Sequence, residues 1–147
     1  MERLEKIYEG KAKVIYTTSD PDLVIQYFKD DASAFDGKKK GTIVDKGVMN
    51  NHMSSRIFQH LEGEGVETHF VETINDREML VKKLEIIPVE VVLRNIAAGS
   101  LCKRLGIEEG REFEQPILEF FYKSDPLGDP MINECHVDIF GWATKDE

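Results

Sequence analysis

The chain has 147 residues, 41% hydrophobic and 32% charged, the balance of an ordinary globular domain. Its net charge of −9 disfavours a nucleic-acid partner. No apolar run is long enough to cross a bilayer. The start, Met1-Glu2-Arg3-Leu4-Glu5-Lys6, lacks the apolar core of a secretory signal. Two cysteines, Cys102 and Cys135, form no C-x-x-C pair, so neither a disulfide framework nor a zinc knuckle is expected and a reducing cytoplasm fits.

In chain order, Ile7–Tyr16 reads as a strand interrupted at Gly10 by a bend or bulge. Leu23–Phe28 reads as its antiparallel partner, after the turn signal Ser19-Asp20-Pro21. Residues 30–46, with Asp36-Gly37 and the run Lys38-Lys39-Lys40, read as a loop. Met49, Met53, Ile57 and Leu61 recur every four residues beside Phe58, one face of an amphipathic helix closed by Gly63 and Gly65. Strands follow at Thr68–Thr73, Met79–Ile87 and Val89–Asn95, the last two separated by Pro88. Ser100–Leu105 is a short helix with Gly106 at its C-cap. Ile117–Lys123 is a strand and Asp125–Asp129 a turn-rich loop. Thr144 and Glu147 have the spacing of a capping box, the start of a further helix. The pattern predicts an α+β fold with a mainly antiparallel sheet.

Three segments carry candidate chemistry. In Tyr8-Glu9-Gly10-Lys11-Ala12-Lys13, two lysines on one strand face lie about 7 Å apart and can bracket a polyphosphate. Gly10 would admit close backbone approach. The same pair equally suits an exposed edge that discourages sheet association. In Pro88–Ser100, Glu90 and Arg94 share a strand face and need partners. They form either an internal ion pair or an anion site completed by Ser100 at the helix start. Lys123, Asp125 and Asp129 lie on a constrained loop, either a plain turn or a place for Mg²⁺. His52, His60, His69 and His136 lack metal-ligand spacing.

Together these segments resemble the SAICAR synthetase family. The likeness also draws on Lys46-Gly47 with Asn50-Asn51, Lys82-Lys83-Leu84, Lys103-Arg104-Leu105-Gly106 and Asp129-Pro130-Met131-Ile132-Asn133. It runs through the whole chain in order. The family's nucleotide-binding fold is similar to those of protein kinases and ATP-grasp enzymes. The resemblance implies an ATP-dependent ligase of purine biosynthesis joining L-aspartate to carboxyaminoimidazole ribonucleotide through an acyl phosphate. ATP and Mg²⁺ are the implied cofactors, and a homodimer is an expectation.

By the same resemblance, Gly10, Lys11, Ala12 and Lys13 would cradle the phosphates, with Lys11, Lys13 and Arg94 serving catalysis. Ile15, Val24 and Ile86 would wall the adenine, and backbone groups of Lys82 and Leu84 would bond its edge. Arg94 and Ser100 would hold the ribonucleotide phosphate or carboxylate. Glu90 and Asp129 would hold a metal at the imidazole carboxylate, with Asp36 and Lys123 as further substrate neighbours. Residues 1–80 would form a β-rich nucleotide-binding lobe and residues 81–147 the start of an ATP- and substrate-binding domain. The family continues well past this length with an acidic Mg-ATP segment, so the expectation is a truncated chain that does not turn over alone.

Overall fold

The computed structural model of the chain describes residues 1–34 and 39–144. Asp36 and most of the proposed capping box at Thr144–Glu147 lie outside the described residues. The chain forms two compact units, Met1–Glu85 and Ile86–Glu147. The architecture is α+β with antiparallel sheets, as the sequence pattern implies.

The first unit is built on a five-stranded sheet in the order β1-β2-β3-β7-β6. Its strands are β1 (Lys6–Glu9), β2 (Lys13–Thr17), β3 (Leu23–Phe28), β6 (Phe70–Asn75) and β7 (Glu78–Lys82). The single strand expected over residues 7–16 is instead a hairpin. β1 pairs antiparallel with β2, Glu9 opposite Val14, and Gly10 N–H donates to the Lys13 carbonyl at 2.9 Å. Gly10 therefore marks a chain reversal, not a bulge. Residues 30–46 are not one loop either, because β4 (Asp31–Ala34) and β5 (Lys39–Thr42) pair as a second hairpin. β7 ends at Lys82, five residues short of expectation.

α1 (Lys46–Gly63) lies where the four-residue period places it, but a different face is buried. Met49, Met53 and Ile57 are each more than half exposed. Gly47, Asn51 and Ser55 face inward. Small residues let the helix backbone approach the sheet closely. A Cβ on Gly47 would lie 2.4 Å from the Phe28 carbonyl oxygen. Asn51, fully buried, donates its amide to the Asn75 carbonyl at 2.7 Å. Ser55 Oγ donates to the Asn51 carbonyl and accepts from Thr73 Oγ1. Val24, Phe28, Phe70, Met79 and Val81 form the core, with Ile15 and Phe58 packed against it.

The second unit holds a three-stranded sheet, β10-β9-β8. These are β8 (Val89–Ile96), β9 (Glu112–Tyr122) and the two-residue β10 (Met131–Ile132). α2 (Ser100–Leu105) has the predicted bounds and ends on Gly106 in the left-handed region. β9 begins five residues earlier than predicted. α3 (Glu134–Phe140) was not legible: its cap is a reciprocal pair in which Asn133 Oδ1 accepts from the His136 N–H and His136 Nδ1 accepts from the Asn133 N–H. A capping box built on histidine lies outside the usual Ser/Thr-x-x-Glu/Gln pattern.

Candidate functional site

In the first unit the Gly10–Lys13 turn presents both candidate lysines. Lys11 sits in the turn and Lys13 opens β2, so strand parity does not relate them as the sequence implied. Both are exposed. The neighbouring cations are committed elsewhere: Lys6 and Lys29 both bind Glu9, at 2.7 and 2.9 Å. Their hydrogen bonds, Lys6 first, draw the Glu9 carboxyl down to about 2. Lys29 N–H donates to the Ala12 carbonyl at 2.8 Å and fixes the turn from behind. Burial, and secondarily the charge of Lys13, lowers the pKa of His69.

Other proposed nucleotide contacts differ in accessibility. Val24 is a core residue, and Ile15 packs at the core's margin. Lys82 N–H already donates to the His69 carbonyl at 2.7 Å. Leu84 is exposed, and so, at the start of the second unit, is Ile86.

The second unit contains a cleft of about 430 Å³ lined by Glu90, Val92, Arg94, Ser100, Arg104, Phe121, Gly128, Asp129 and Met131. Register explains its composition. Glu90 faces Phe121 across the β8–β9 pair, Val92 faces Glu119, and Arg94 faces Ile117. Alternation puts these six on one sheet face. The cleft has a cationic end and an acidic end.

At the cationic end, Arg94 does not pair with Glu90. Arg94 Nε donates to Glu119 Oε2 at 2.7 Å, and its Nη2 donates to Ser100 Oγ at 3.4 Å. Four residues along a strand separate Glu90 and Arg94 by about 13 Å, too far for direct pairing. Glu119 also accepts from Arg104 Nη2, and the Arg104 guanidinium lies 5.5 Å from the Phe121 ring centre. Ser100 is the first residue of α2 and not its cap. That position falls to Gly99, at φ 57°. Sequence reading missed Glu119 altogether and gave Arg104 no role at the site, naming it only within the Lys103–Gly106 segment of the family likeness. The signal available was that Glu119 shares parity with Ile117 and Phe121.

At the acidic end, Lys123 Nζ lies 3.3 Å from Glu90 Oε2 and 2.5 Å from Asp129 Oδ2. The Asp129 hydrogen bond raises the lysine's pKa. Asp129 has a left-handed backbone, φ 49°, and its Oδ1 accepts the Ser124 N–H at 2.8 Å. Asp125 instead begins a 3₁₀ turn, Asp125–Leu127. Two carboxylates converging on one point charge form a donor set that suits a hard cation retaining waters. Among the described residues, no cluster of three or more His, Cys, Asp or Glu side chains has the geometry to hold a metal.

An α+β chain with exposed lysines at a tight turn and a guanidinium-lined cleft has the parts of an anion-handling enzyme. Its affiliation is specific. The family model for SAICAR synthetase matches residues 6–147. The phosphoribosylaminoimidazole-succinocarboxamide synthase of Magnetococcus marinus is 57% identical over all 147 residues, 61% of its own length. The crystal structure of that synthase from Ehrlichia chaffeensis superposes with a TM-score of 0.92 at 51% identity, covering 97% of this chain and 60% of the other. A SAICAR synthetase in complex with ADP matches at 48% identity and a TM-score of 0.86, over 91% of this chain and 57% of the other. The chain belongs to the SAICAR synthetase family, ligases of purine biosynthesis. It spans about 60% of the length of these relatives.

Proposed function

We infer that the chain serves an ATP-dependent ligase that joins L-aspartate to carboxyaminoimidazole ribonucleotide. The family match over residues 6–147 supports this most strongly. An oxygen of the imidazole carboxylate attacks the γ-phosphorus of ATP, releasing ADP and leaving an acyl phosphate. The aspartate amine then attacks the acyl carbon, loses a proton and expels inorganic phosphate, giving the amide SAICAR.

The exposed Lys11 and Lys13, at a turn held by Gly10 and Ala12, neutralise the nucleotide phosphates. Ile15, Val24 and Ile86, with the backbone of Lys82 and Leu84, serve the adenine. Accessibility favours Leu84 and Ile86 over the core residue Val24. Arg94 and Ser100 take the anionic ribonucleotide, which suits a cleft-lining arginine whose Nε is already anchored and whose Nη2 reaches Ser100. Glu90 and Asp129 would hold Mg²⁺ in place of the Lys123 ammonium, and such an ion supplies charge neutralisation at the reacting carboxylate. Asp36 is a further candidate substrate neighbour.

Oxygen-18 placed in the imidazole carboxylate tests the reaction. The acyl-phosphate route delivers one labelled oxygen to inorganic phosphate per turnover. Unlabelled phosphate would rule that route out. A second reading is that these 147 residues bind nucleotide without turning over by themselves. ADP binding by the isolated 147-residue chain without aspartate-dependent phosphate release would favour it.

A further inference from the structure

Glu119 is the most buried carboxylate of the second unit's cleft face, 3% exposed. Both of its oxygens are taken by arginines, Arg94 on Oε2 and Arg104 on Oε1. A buried carboxylate without partners is costly, and one partner satisfies it. Here there are two, so the cluster carries a net positive charge facing the cleft. Each guanidinium has five donors. Glu119 takes Nε of Arg94 and one Nη2 hydrogen of Arg104. Ser100 receives a longer contact from Arg94. Both guanidiniums line the cleft.

We propose that Arg104 is a second guanidinium of the cleft's anion subsite and that Glu119 is the positioning residue that orients Arg94 and Arg104 as a pair. This rests on the reading that the cleft takes a ribonucleotide. The ligand group is its phosphate monoester, whose near-double charge and three equivalent oxygens match two forks better than a single carboxylate does. A mobile arginine gives up rotamer freedom on binding. One held at Nε has already given up most of it, so the carboxylate lowers the cost of binding an anion.

The test is a titration of ribose 5-phosphate, with ribose as the control, into the protein purified at native length, followed by arginine side-chain NMR. The variants are Glu119→Gln and Arg104→Lys. Glutamine keeps the side-chain length but accepts from one arginine only. Lysine keeps the charge but not the fork. Each variant should weaken ribose 5-phosphate about tenfold or more, the loss of a charge-assisted contact, while ADP affinity stays within twofold. If Glu119→Gln fails a thermal-melt check of folding, Arg104→Lys decides alone. Unchanged affinity in the folded variants overturns the proposal, and so does an unaltered protein that does not prefer ribose 5-phosphate to ribose. A protein that passes this test yet turns over no imidazole ribonucleotide keeps the subsite and refutes the reading of its reaction.

Discussion

Arg94 is held at Nε by a buried carboxylate, reaches Ser100 through Nη2 and lines the cleft. Lysine at this position keeps the charge but cannot make the same forked contact. In the native-length protein, Arg94→Lys should raise KM for the imidazole ribonucleotide about tenfold or more and leave KM for ATP nearly unchanged. Equal losses for the two substrates would mark Arg94 as structural. The hairpin lysines make the opposite prediction. Lys11→Ala and Lys13→Ala should each cost about 1.5–3 kcal/mol in ADP binding, measured by calorimetry, with little change in the thermal midpoint. The exposure of both side chains makes that separation of binding from folding expected. Strand alternation made Glu90 and Arg94 legible as residues of one face. Their partners were not, because Glu119 and Lys123 come from β9 and the segment after it, and only cross-strand register reveals that pairing.

The start of α1 is held by an electrostatic clamp from two other segments. Asp30, just beyond β3, accepts two hydrogen bonds from Arg77 in the β6–β7 turn, at 2.6 and 3.0 Å, and the Gly47 N–H at 2.8 Å. The Arg77 bond, above all, holds the Asp30 carboxyl at about 2. A depressed carboxylate stabilises the fold above its unfolded value, near 3.8, and that contribution disappears as pH falls through about 2. Asp30→Asn should therefore flatten the loss of thermal midpoint between pH 5 and pH 2, and an unchanged slope would contradict the clamp. At Gly47, alanine would ordinarily strengthen a helix. Here its methyl would meet the Phe28 carbonyl oxygen at 2.4 Å and Arg77 Nη1 at 2.7 Å. Gly47→Ala should destabilise by about 1–3 kcal/mol in urea unfolding, and a neutral or stabilising result would refute the close approach. The same contact explains why the hydrophobic period found the helix but not its buried face. Close approach selects Gly47, Asn51 and Ser55, and an apolar pattern cannot detect small polar residues turned inward. Conversely, β3 and β8 were legible because β-branched runs fill them. The Gly10 hairpin was not, since Gly10-Lys11-Ala12 carries none of the usual two-residue turn pairs.

At the scale of the molecule, each unit contributes a different chemistry: lysines on a tight turn in Met1–Glu85, and a cleft with separated cationic and acidic ends in Ile86–Glu147. A ligase that activates a carboxylate with ATP needs phosphate neutralisation and recognition of an anionic acceptor. The proposed reaction would draw on both. The most direct measurement is ADP release by the protein at its native length, with aspartate and carboxyaminoimidazole ribonucleotide omitted in turn. Release is expected only when both are present, in step with formation of the amide. Release that persists without the ribonucleotide, or none with all substrates supplied, would contradict the proposed reaction.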